Sequence, residues 1–248
     1  MNIILDEKKM AMDLIAKGEV TDKPTDTIRV LIKYYHSMGM DNDQVRDNIE
    51  DFMNKNYQGF NAAKWQNILD GMTKKFASDK YKLVHIDRVK ITEEELRYIS
   101  SIGNPKLERL AFTLLVYAKI HNQLYEENNN WVNEPCKEIF KDAKIIESCI
   151  KQQLSINKLS KLGAVEIAKV VDSNGIRVRF LNGESKVIID LTDFREFVLA
   201  YLEWKGEKIG HCSECGKKIK LKGKNNKYCK KCSSKKRLER QRKYMQNV

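Results

Sequence analysis

Apolar residues recur along the first eighty positions at spacings of three and four, the rhythm of helices that bury one face. Ile28, Leu31, Ile32 and Tyr35 form one such stripe; Trp65, Ile68, Leu69, Met72 and Phe76 form another. Asp41-x-x-Gln44 has the form of a capping box and predicts a helix to about Asn56, and Asn61 is placed to cap the next one. Residues 81–91, YKLVHIDRVKI, alternate enough to predict an extended segment, after which Thr92-x-x-Glu95 starts a short helix. From Pro105 a long helix is expected to bury Leu107, Leu110, Ala111, Leu114 and Ala118, until Asn128-Asn129-Asn130 breaks the pattern. Trp131-Val132 predicts a short strand, Asn133 caps a helix from Glu134 to about Asp142, and a further helix runs from about Glu147 to Leu162, where Gly163 stops it. On that helix Ile150, Leu154, Leu159 and Leu162 are expected inside, leaving Lys151, Gln152, Ser155 and Lys158 to solvent. Three β segments follow, Val165–Val171, Ile176–Leu181 and Lys186–Leu191, with Asn174-Gly175 and Asn182-Gly183 as turns. Thr192 or Asp193 then caps a last helix carrying Phe194, Phe197, Val198, Tyr201 and Leu202.

The expected fold class is therefore mainly α with a small β component. Four parts are expected: a helical region over 1–80, a connecting segment over 81–104, a domain with a trailing helix over 105–206, and a terminal module over 207–248. At 248 residues and 42% hydrophobic content, a core can form. No apolar run approaches the roughly 20 residues of a membrane span, and the first residues lack the basic start of a signal peptide. The expectation is a reducing, cytoplasmic setting without membrane partners, where structural disulfides are rare.

Charge changes the picture at one end only. The net charge is +12, and residues 207–248 hold fifteen basic against three acidic side chains, so that residues 1–206 are balanced. A basic block of this kind points to a polyanion, most often nucleic acid. The same stretch holds four of the six cysteines as Cys212-x2-Cys215 and Cys229-x2-Cys232. A C-x-x-C turn brings two thiolates to one side of an ion, and a hairpin-sized insert returns the chain so that a second pair closes the other side. Zinc wants four such ligands in a tetrahedron, which predicts a structural Zn2+ site. Gly216 follows the first pair where the turn is tight, and Gly223 with Asn225-Asn226 can turn the insert. His211 abuts Cys212, but four cysteines already fill the shell. Ser233 or Ser234 then caps a helix that presents Lys235, Lys236, Arg237, Arg240, Arg242 and Lys243. Cys136 and Cys149 lack ligand spacing and are expected as small core residues.

The cysteines and the basic run after them resemble the small zinc ribbons with a trailing basic helix of bacterial and phage nucleic-acid-binding proteins. Over roughly 105–191 the order helix, short strand, helix, turn, helix, β-hairpin resembles the winged helix-turn-helix family. That resemblance implies that helix 147–162 enters a major groove with Lys151, Gln152, Ser155 and Lys158. It implies too that the hairpin, with Lys169, Arg177 and Arg179, touches phosphates. No arginine stands on the helix face assigned to the groove.

The sequence contains no G-x-x-x-x-G-K-[ST], H-E-x-x-H or G-x-S-x-G, and its four histidines are scattered at 36, 85, 121 and 211. These features together resemble small DNA-binding proteins of phages and mobile elements. The expectation is a non-enzymatic protein that binds DNA rather than RNA, in replication or transcription control. The alternative is a phage-encoded inhibitor that grips a host protein and blocks its nucleic-acid channel.

Overall fold

A computed structural model of the chain describes residues 6–78, 81–125, 127–169, 175–181, 184–221, 223 and 226–246. It is mainly α-helical with small antiparallel sheets. Two compact units divide the chain, Ile3–Asp87 and Arg88–Val248.

The first unit is four helices: α1 (Glu7–Lys17), α2 (Pro24–Ser37), α3 (Asn42–Asn56) and α4 (Ala62–Phe76). Local chemistry sets their starts. The Asp6 carboxylate accepts from the Lys9 amide, Pro24 occupies the first turn of α2, Asp41 and Gln44 form the expected capping box, and Asn61 caps α4. Ile28, Leu31 and Ile32 of α2 meet Ala11, Val45, Ile49, Met53 and Leu69 in one core. Ile68 departs from its expected stripe and stands exposed. Inside this unit Lys33 Nζ donates to both Glu7 oxygens, at 3.0 and 2.9 Å, and the Val84 amide donates to Glu7 Oε2 at 2.8 Å. The buried carboxylate thus ties three separate segments together.

The second unit is built around α6 (Pro105–Leu124), whose residues 110–118 are buried without a break. A helix apolar all round has to be covered on every side. One flank is β1 (Val89–Thr92) with α5 (Glu93–Ser101). Then come β2 (Trp131–Val132), α7 (Cys136–Asp142), α8 (Cys149–Lys161), β3 (Val165–Ile167), β4 (Ile176–Val178), β5 (Val187–Leu191) and α9 (Val198–Trp204). β4 lies between β2 and β3, pairing Val132 with Ile176 and Val165 with Val178.

Three expectations change here. Residues 81–104 are not a connector: the unit boundary falls between Asp87 and Arg88, and β1 and α5 pack on α6. β5 is not the next strand of the β3–β4 hairpin but pairs with β1, Val89 opposite Leu191 and Ile91 opposite Ile189. Buried Val89 and Ile91 need a partner for their main-chain groups, and a strand from a hundred residues away supplies it. The final helix starts at Val198 rather than near Phe194, because Glu196 takes a left-handed conformation with φ of 59°. The turn residues Asn174, Asn182 and Gly183, the strand end Val170-Val171, and Asn225 lie outside the described residues. No helix among the described residues is long and apolar enough to cross a membrane.

Candidate metal centre

After α9 come β6 (Ile209–His211) and β7 (Lys218–Lys220), an antiparallel pair with Gly210 opposite Ile219. The turn between them is the first cysteine knuckle. Its Cys212 amide donates to the Lys217 carbonyl at 2.9 Å, and the Gly216 amide donates to the Cys212 carbonyl at 2.8 Å. Gly216 has φ of 72°, a conformation in which a side chain would be strained. The second knuckle opens the 17-residue helix α10 (Lys230–Gln246), with Cys229 just before it and Cys232 in its first turn. An amide from Ser213 to the Lys227 carbonyl, 2.9 Å, laces the two knuckles together.

The four Sγ atoms of Cys212, Cys215, Cys229 and Cys232 lie within 4.8 Å of one another, close enough to hold one metal ion. Cys215 and Cys229 are 3.8 Å apart. A tetrahedron with bonds of about 2.3 Å has edges of about 3.8 Å. All four are free thiols, and Cys212 and Cys229 are buried beside Ile219 and Tyr228. Main-chain amides favour the charged form of two of them. Cys229 N–H donates to Cys212 Sγ at 3.2 Å and brings that thiol down to about 6; Cys232 N–H donates to Cys229 Sγ at 3.4 Å and lowers Cys229. Cys232 bears the opposite effect, pushed up to about 12 by its hydrogen bond to Cys229 and by burial. Four sulfurs sharing one small volume cannot all ionise without a cation between them. His211 sits on β6, exposed and outside the cluster.

α10 carries the basic run outward. Lys235, Arg237, Arg240 and Arg242 are exposed, as are Lys230 and Lys231, and none of these six makes an ion pair among the described residues. Lys236 is the exception: it pairs with Glu214 Oε2 at 2.8 Å and lies 4.5 Å from the centre of the Tyr228 ring. It fastens the helix to the ribbon rather than standing free. The Lys243 side chain lies outside the described residues.

The residues expected to face a groove from α8 fare differently. Lys151 and Lys158 are exposed, as expected. Ser155 is buried, at 2% exposure, and its hydroxyl donates to Glu147 Oε2 at 3.2 Å. Gln152 is half-buried and donates to the Glu147 carbonyl at 3.0 Å. Lys106, 2.7 Å from Glu147 Oε1, holds that carboxyl below its usual range, with the Ser155 hydroxyl adding to the effect. The helix is turned because its inner face is Ile156 and Leu159, not Ile150 and Leu154. The latter two lie roughly 120–160° around the helix from Ile156. Ile150 is 71% exposed and Leu154 53%, and Ile146 in the preceding turn is fully exposed. An i, i+4 apolar pair marks an apolar face without saying which neighbour covers it.

On the hairpin, Lys169 is exposed. Arg179 and Arg177 both approach Glu166 Oε2, at 2.7 and 3.8 Å, and Arg177 Nε also donates to the Asn129 carbonyl at 3.0 Å. The sheet therefore partly neutralises them. Cys149, expected in the core, is exposed, and Cys136 is half-buried.

No family model, no curated protein and no solved structure matches this chain.

Proposed function

We propose that this chain is a non-enzymatic nucleic-acid-binding protein, taking DNA in preference to RNA, whose C-terminal module is a zinc ribbon that aims a basic helix at the phosphate backbone. The observation that carries this reading is α10: six exposed cations without an acidic partner among the described residues, on a helix whose first turn contains a member of the cysteine cluster. Such charges release counterions from a polyanion on binding. Four thiolates in a tetrahedral arrangement suit zinc, a closed structural site with no position left for substrate. Cys212, Cys215, Cys229 and Cys232 would hold the ion, and the ion would tie α10 to the β6–β7 hairpin.

The central part of the second unit is proposed as a winged helix. Supporting this are the order α6, β2, α7, α8, β3, β4 and the place of β4 between β2 and β3. In that arrangement α8 offers Lys151 and Lys158 to DNA, while Gln152, Ser155, Arg177 and Arg179 serve mainly to hold the domain's own form.

One observation favours a second reading. Ile150 and Leu154 stand exposed on the helix that would have to read bases, and Ile146 is exposed in the turn before it. Exposed apolar patches of this kind mark protein interaction sites. In that reading these aliphatic side chains grip a protein whose nucleic-acid channel α10 occupies. Short random-sequence duplexes separate the two. Zinc-loaded full chain should bind them alone and lose affinity as salt rises; binding that appears only with a second protein present would favour the interaction reading.

A further inference from the structure

Between the cysteine ribbon and α9 lies a cleft of about 470 Å³, lined by six cationic side chains and a single carboxylate, Glu196. The carboxylate is shared: Glu196 Oε2 pairs with Lys144, and its Oε1 lies 2.9 Å from Lys217 Nζ. Both members of the first pair have backbones that their side chains make unfavourable. Lys144 has φ of 54° and Glu196 has φ of 59°. Lys144 follows the cap residue Ala143 of α7, its amide donating to the Lys141 carbonyl at 3.0 Å, a position where glycine is the unstrained choice. Among the other described residues that are not glycine, only Asn129 and Asn130 share this conformation, and asparagine tolerates it. Strained positions of this sort gather where the side chain has a task.

Of the remaining cations of the cleft, Lys218 pairs with Glu203 and Lys220 with Glu207, whereas Arg109 and Lys230 make no ion pair among the described residues. Arg109 Nε is buried in its wall without a hydrogen-bond partner. Lys230 opens α10 there and makes no ion pair among the described residues, so the positive end of that helix borders the same space. Burial, helped by Lys217, presses the Lys144 ammonium towards its neutral form, a tendency that a second anion would reverse.

We propose that this cleft is a phosphate-binding site, in which the Glu196 carboxylate occupies the place of a phosphodiester of the bound nucleic acid. This rests on the nucleic-acid reading above. The strand would run between ribbon and α9 and displace Glu196 from Lys144 and Lys217, gaining Arg109 as a third donor. Helix α10 and the cleft would then contact different phosphates of one backbone, the helix without and the cleft with an internal competitor to dislodge.

The test uses the zinc-loaded full chain and a short random duplex lacking terminal phosphates, followed by anisotropy over a range of salt. Glu196→Gln removes the competitor and should tighten binding several-fold. Lys144→Gly removes a cation yet suits the left-handed backbone, so it should melt no lower than the parent and bind several-fold more weakly. Its log–log salt slope should be shallower by about 0.9, the value of one phosphate contact. A chain with Arg237, Arg240 and Arg242 changed to Gln is measured beside them. If that chain weakens while Glu196→Gln and Lys144→Gly change nothing, the cleft proposal is overturned and the wider reading stands. If the parent binds no duplex, both fail. Inorganic phosphate is titrated separately at constant ionic strength. Phosphate binding sensitive to Glu196→Gln, with duplex binding insensitive to it, would assign the cleft to a free anion and overturn its assignment to nucleic acid.

Discussion

A buried hydroxyl that donates to a carboxylate is hard to replace, and Ser155 is in that position against Glu147. Ser155→Ala leaves the carboxylate short of a donor and should cost about 1 kcal/mol in urea unfolding. Ile150→Ala and Leu154→Ala remove exposed side chains and should each stay within about ±0.5 kcal/mol. The opposite ranking would mean that α8 is rotated. The spacing of Ile150, Leu154 and Leu159 suggested that rotation because periodicity weighs only apolar residues. It could not register that Glu147 and Lys106 would draw Ser155 inward. Long-range ion pairs escape a one-dimensional pattern for the same reason. Glu7 and Lys33 are 26 residues apart in sequence, and both side chains are nearly buried. Lys33→Ala strands the Glu7 carboxylate and should cost about 3–5 kcal/mol in the melting of residues 3–87. A loss below 1 kcal/mol would mean that the carboxylate finds water instead.

Elements whose signals are local were legible in the sequence. The capping boxes at Asp41 and Thr92, the prolines at Pro24 and Pro105, and the paired C-x-x-C turns each act within a few residues. The partner of a strand is a long-range choice, so Lys186–Leu191 was placed well and paired wrongly: its complement, Val89–Thr92, lies far up the chain. The cysteine ribbon stands at the other extreme, a short element with a small apolar core of Ile219 and Tyr228 about the sulfurs. Little but the metal holds such a fold together. Purified chain should carry one zinc ion, and Cys212→Ser or Cys229→Ser should lose it. Amide signals of residues 209–246 should then collapse in NMR spectra, while those of α6 and α8 persist. A metal-free variant with an intact ribbon spectrum would remove zinc from the account.

At the scale of the molecule, charge is segregated. Residues 1–206 carry equal numbers of basic and acidic side chains, and the whole excess of +12 belongs to 207–248. That asymmetry was visible in the sequence because net charge needs no coordinates. The cleft was not, because Arg109, Lys144, Glu196 and Lys217 meet only once α6, α7 and α9 have packed against the ribbon. Both features put the proposed contact with a polyanion at the same end of the chain. The most direct measurement is the salt dependence of duplex binding by the full chain and by a chain ending at Ser234, both loaded with zinc. If about four of the cations beyond Ser234 contact phosphates, truncation should make the log–log slope shallower by about 3.6. An unchanged slope would mean that α10 beyond Ser234 touches no phosphate, and would contradict the account.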